Sequence, residues 1–157
     1  MTKKKAVKKI PTKRPIIKEE SSGKKELRVS DLVITDEFRT VSKNATGKEA
    51  AAMLMKIPHG IVLVVDKNNR PEGVITAREF LSKIIDGENP VDLSAAGIMN
   101  TDIMEIKYNA LLDKVVPKVT ENDPYAVIVT DKDGKFKGYF SPKDYQEALA
   151  RINYPQD

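Results

Sequence analysis

IVLVVDKNNRPEGVITAREFLSKI (residues 61–84) and AVIVTDKDGKFKGYFSPKDYQEAL (residues 126–149) are two versions of one text. A shift of 65 residues aligns them without a gap. Val62 then falls on Val127, Val64 on Val129, Asp66 on Asp131, Lys67 on Lys132 and Gly73 on Gly138. Upstream, FRTVSKNA (38–45) falls on IMEIKYNA (103–110). Two copies are too few for a solenoid, so the duplication implies a paired, pseudo-symmetric domain.

Each copy predicts the same order of elements. A short strand over 38–41 or 103–106 is followed by a helix. In copy one Thr46 with Glu49 forms a capping-box pattern ahead of the apolar AAMLM. In copy two Asn109 is the expected cap, and Pro117 is expected to kink or interrupt the helix. The continuous aliphatic runs 61–65 and 126–130 read as strands covered on both faces. Turns follow at DKNNRP and DKDGK, rich in Asp, Asn and Gly. Third strands over 72–76 and 136–141 lead into helices over 77–86 and 142–152. The fold class is α+β, with two β-α-β-β-α units on a shared core. A unit of about 60 residues is marginal alone. The predicted bounds are a tail over 1–28, copy one over 29–90 and copy two over 91–153.

Composition removes several function classes. The 157 residues include no cysteine, so disulfide scaffolds, thiolate metal sites and thiol catalysis are out. His59 is the single histidine, which leaves no multi-histidine metal centre. There is no P-loop and no base–nucleophile set, so neither an enzyme nor a cofactor or metal is expected. No apolar run approaches the ~20 residues of a spanning helix, and no apolar h-region follows the basic start. A cytoplasmic protein without a membrane partner is expected. The charge is uneven: residues 1–28 hold 11 Lys/Arg and 3 Asp/Glu, against 16 and 20 in the remainder. Such a tail buries too little to offset its ordering entropy, so disorder is expected. It reads either as a solvated tail or as an electrostatic arm for nucleic acid, with the folded pair as dimerisation or ligand-control unit.

The third strands end in GVITARE (73–79) and GYFSPKD (138–144). Glycine, two apolar residues, a hydroxyl, two residues and an acid is a helix-start pattern. Ser141, Pro142 and Asp144 suit the N-cap, first and third positions, and Thr76 with Glu79 fits the same box. The same geometry suits a nucleotide. Free N–H groups at the helix start can meet phosphate, and the carboxylate can accept from a ribose diol. The glycine would let a ligand approach the strand.

The duplicated unit and its paired G-h-h-[ST]-x-x-[DE] motifs resemble a tandem pair of CBS domains, a Bateman module, over about 29–153. The resemblance implies packing about a pseudo-twofold axis and a regulatory, ligand-sensing role. It implies clefts for AMP, ADP, ATP, S-adenosylmethionine or methylthioadenosine, a homodimer and a regulated protein partner. It places a main cleft at Ser141 and Asp144, with the adenine near Thr35, His59, Gly60 and Ile61. A second cleft would use Thr76 and Glu79, with Pro124, Tyr125 and Ala126 opposite. Glu79 departs from the usual aspartate, which sets its carboxylate one methylene further out, and Tyr125 is placed to fill that cleft.

Overall fold

A parallel strand pair needs a crossover, and each copy supplies a helix for it. The computed structural model of the chain describes residues 26–155. Strands β1 (Phe38–Ser42), β2 (Ile61–Val65) and β3 (Pro71–Ile75) form one sheet, with β1 and β2 parallel and β3 antiparallel. Strands β4 (Ile103–Lys107), β5 (Ala126–Thr130) and β6 (Phe136–Phe140) repeat it. Helices α1 (Gly47–Leu54) and α4 (Leu112–Asn122) are the crossovers. Helices α2 (Ala77–Ile85) and α5 (Pro142–Asn153) follow the third strands, and the short α3 (Ala95–Ile98) precedes β4. The molecule is α+β, two β-α-β-β-α repeats related by a pseudo-twofold axis.

The aliphatic runs are central strands with both faces covered. Val62, Val64 and Ile75 pack against Ala50 and Ile98 on one side of the first sheet. Val127, Val129 and Phe140 do the same with Leu112, Val115 and Ala148. The opposite faces meet each other, Ile61, Leu63 and Val74 against Ala126, Ile128 and Tyr139. Burying Leu63 and Ile128 contributes roughly 1.5–3 kcal/mol each, so this shared layer offsets the marginal size of either unit.

The copies agree down to their irregularities. Both antiparallel pairs slip register at one place, Val64/Val65 and Val129/Thr130. Asp66 Oδ1 accepts from the Asn68 and Arg70 N–H groups at 2.8 and 2.9 Å. Asp131 Oδ1 accepts from Asp133 and Lys135 at 2.8 and 3.0 Å. These backbone donors hold both carboxyls below their ordinary range. Asn69 and Gly134 take the matched left-handed positions, with φ of 62° and 84°.

Each copy lends its leading segment to the other. Val29, Leu32 and Ile34 sit in the core of copy two, while Ala95 and Ile98 sit in that of copy one. The Tyr139 N–H donates to the Ile34 carbonyl at 2.9 Å, and Val74 and Asn100 exchange backbone bonds of 3.0 and 2.8 Å. This accounts for the matched glycines. A Cβ at Gly138 would strike the Ile34 carbonyl, and one at Gly73 would lie 2.8 Å from Met99 Sδ and 2.9 Å from the Asn100 carbonyl. The close approach expected of a ligand is made by the chain itself.

Next to the expected start of copy one, Leu27 packs on the second core and Arg28 pairs with Leu111. Two local expectations change. The N-cap of α4 is Leu111, not Asn109, and it has no side-chain cap bond. The Leu27 carbonyl instead accepts the Leu112 N–H at 2.8 Å, and the Arg28 side chain holds the Asn109 carbonyl at 2.6 Å. Pro117 does not interrupt α4, which runs through it as one helix. The disorder and nucleic-acid expectations for the basic tail fall largely on residues 1–25, outside the described residues.

Candidate functional site

The sequence GYFSPKD folds into a helix start whose capping groups are buried. Ser141 is 1% exposed and Asp144 2%. Asp144 Oδ2 accepts from the Ser141 N–H at 2.9 Å and from Ser141 Oγ–H at 3.0 Å. The Asp144 N–H returns a bond to Ser141 Oγ at 3.2 Å. Asp144 Oδ1 makes no hydrogen bond among the described residues. Burial is the main cause that raises the Asp144 pKa, the bonds from Ser141 pull it back, and Asp36 and Glu37 push it further up.

The matched pair in copy one is closed. The extra methylene of Glu79 does not carry its carboxylate outward. Glu79 is 7% exposed, and its Oε1 accepts from the Thr76 N–H and Oγ1–H at 2.7 and 2.8 Å. The Arg78 N–H donates to Thr76 Oγ1 at 3.2 Å. Because the Thr76 proton goes to Glu79, the Tyr125 hydroxyl donates to Thr76 Oγ1 across the repeats at 2.9 Å. The Thr76 hydroxyl then has no lone pair left. The position matched to Tyr125 is Gly60, so nothing equivalent seals Ser141.

A groove of about 300 Å³ opens beside Ser141. Its walls include Pro124, Tyr125, Ala126, Tyr139 and Tyr145, so Ser141 shares one surface with three of the residues expected for the second cleft, but not with Thr76 or Glu79. The Tyr145 hydroxyl bonds Thr120 Oγ1, which itself donates to the Val116 carbonyl at 2.9 Å. Burial, then the charges of Glu37 and Asp144, push the Tyr139 pKa up to about 12, so it stays a neutral phenol. Asp144, Thr35, His59, Gly60 and Ile61 are not among the groove's walls. Gly60 and Ile61 lie against Glu37, whose carbonyl accepts the Ile61 N–H at 3.1 Å. Thr35 follows the Ile34 carbonyl that pairs with β6 and is exposed. His59 is also exposed and makes no hydrogen bond or ion pair among the described residues.

Sequence reasoning missed Asp36 and Glu37. Lys143, the cation inside the second motif, is bound by both, at 3.6 Å to Asp36 and 2.8 Å to Glu37. The Glu37 bond chiefly, then the two negative charges, raises the Lys143 pKa. The repeat held the available signal: residues just before β1 and β4 lie beside the starts of β2 and β5. Asp102, matched to Glu37, accepts the Tyr125 N–H at 3.3 Å.

No helix among the described residues is long and apolar enough to cross a membrane. Comparison with known proteins agrees with the fold. An uncharacterised protein of Methanopyrus kandleri is 24% identical over 106 residues, 67% of this chain and 54% of its own length. The chain thus spans about half of that relative. A CBS domain protein of Pyrobaculum aerophilum, solved complexed with AMP, superposes with a TM-score of 0.64 at 23% identity, over 75% of this chain and 89% of that one. The cytosolic domain of the Mg2+ channel MgtE, solved in complex with ATP, gives 0.60 at 22% identity, over 74% and 47%. At these identities the likeness is one of fold. The CBS domain model matches residues 29–86 and 95–151, and with both copies matched the chain belongs to the CBS domain family.

Proposed function

We propose that this chain is a non-catalytic, cytoplasmic regulatory module that binds one adenosine derivative at Ser141 and Asp144. One observation carries the reading. A buried hydroxyl–carboxylate pair, whose Ser141 lines a groove, keeps one carboxylate oxygen uncommitted, while its pseudo-symmetric partner is sealed by Tyr125. A ribose diol supplies the donors that oxygen lacks. The base would lie toward Thr35 and the Gly60–Ile61 turn, which Glu37 links to Lys143. The AMP and ATP bound by the two structural relatives support an adenine ligand. The module would act as a homodimer on a regulated protein, with the ligand shifting a conformational equilibrium through differential affinity.

The test is a thermal-shift series with adenosine, methylthioadenosine, S-adenosylmethionine, AMP, ADP and ATP. Asp144→Asn is the informative variant. Its amide oxygen keeps the Ser141 bonds, and its amide nitrogen replaces the free acceptor with a donor. Ligand-dependent stabilisation in the wild type, absent from a variant of similar unliganded Tm, is the expected result. No stabilisation by any adenosine compound would end the reading.

A further inference from the structure

The structure assigns the Ser141 and Asp144 cleft to a nucleoside without phosphate, neutral or cationic, in preference to a nucleotide. The assignment rests on the reading of this cleft as an adenosine site. It concerns the charge of the ligand, which that reading leaves open.

Phosphate needs donors and positive charge, and both are spent here. An unoccupied helix start offers several N–H groups. In α5 the first residue, Pro142, has no N–H. The Asp144 N–H is given to Ser141 Oγ at 3.2 Å, and the Tyr145 N–H to the Ser141 carbonyl at 2.9 Å. Among the described residues only the Lys143 N–H is left. The Ser141 hydroxyl proton is held by Asp144 Oδ2, so this hydroxyl offers a lone pair and not a donor. A lone pair facing a phosphate oxygen is repulsive.

The charges point the same way. Lys143 is the cation of the motif, and Asp36 and Glu37 claim it. Two carboxylates thus face one ammonium, 3.6 and 2.8 Å away. Burial chiefly, and to a smaller degree the charges of Asp36 and Glu37, makes the ionisation of Asp144 harder. A phosphate placed on the 5′ side of a ribose held by Asp144 would bring one or two more negative charges to the same place. A sulfonium, thioether or plain hydroxyl would not. A metal ion could relieve the repulsion, but no three of His, Asp and Glu come together to hold one among the described residues.

Calorimetry on the full chain with adenosine, methylthioadenosine, S-adenosylmethionine, AMP and ATP tests this, each with and without Mg2+. Binding of the phosphate-free compounds is expected to be on the order of tenfold or more tighter than that of AMP or ATP. In the double variant Asp36→Asn, Glu37→Gln, which frees Lys143 without touching the Ser141–Asp144 pair, that gap should shrink or invert. AMP or ATP binding as tightly as adenosine would overturn the inference and leave the adenosine site standing. A gap unchanged in the double variant would overturn it too, since the carboxylates would then not set the preference. Absence of binding by all five compounds would remove the site itself, and the inference with it.

Discussion

Ser141 Oγ has one proton and two lone pairs, and the fold commits the proton and one lone pair. The carboxyl of Asp144 is held between burial, the Ser141 donors and the charges of Asp36 and Glu37. Its folded pKa lies above the ordinary 3.8, so its contribution to stability is fully present below that value and is lost as pH rises through the folded pKa. Ligand affinity has the opposite sense, because a diol donates to the ionised form. Acidification through the raised pKa should weaken adenosine binding, approaching about tenfold per pH unit below it, with a midpoint above the ordinary 3.8. Calorimetry at a series of pH values would show this slope in the wild type. A slope beginning only in the ordinary carboxylate range would assign the pH effect to another group.

Elements are placed by exchange between the copies. The leader at 29–34 completes the second core, and α3 with its flanks completes the first. Gly138 and Gly73 are the points of closest approach. Gly138→Ala should cost about 1–3 kcal/mol, and more than Gly73→Ala. At Gly138 a Cβ meets the Ile34 carbonyl, which is bonded to Tyr139, whereas at Gly73 the nearest atom is the flexible end of Met99. Urea titrations of both variants would rank them, and equal losses would show that the backbone yields at either site. The exchange also explains a missed cap. Asn109 precedes α4 with a capping side chain, but the leader reaches that helix first and supplies a carbonyl. Local sequence cannot announce an acceptor as distant in the chain as Leu27 is from Leu112.

At the scale of the molecule the two halves are unequal. On α2, Leu81, Ile84 and Ile85 are 58%, 57% and 83% exposed, at spacings that align them on one face. Their matched positions on α5 are Gln146, Leu149 and Ala150, a less apolar set. This face is the surface through which the proposed homodimer would form. Leu81→Asp with Ile85→Asp should convert it to a monomer of unchanged Tm at low protein concentration. Sedimentation velocity reads the outcome, and a wild type that sediments as a monomer at any concentration would end the dimer proposal.

The duplication, the two sheets, the capping boxes at Thr46, Thr76 and Ser141, and the paired turns at Asp66 and Asp131 were all legible in the chain. Each depends on residues within a few positions of one another or on a periodicity that burial imposes. Tertiary structure alone decided three things. It put each leader into the other copy's core, it bonded the Tyr125 hydroxyl to Thr76 in the cleft that Tyr125 was expected to fill, and it gave Lys143 to Asp36 and Glu37. All three are contacts between distant segments, where the partner is chosen by packing about the pseudo-twofold axis. A difference of one residue, Gly60 against Tyr125, is visible in the sequence. That it leaves one cleft open and closes the other follows only from where the two sheets bring their ends together.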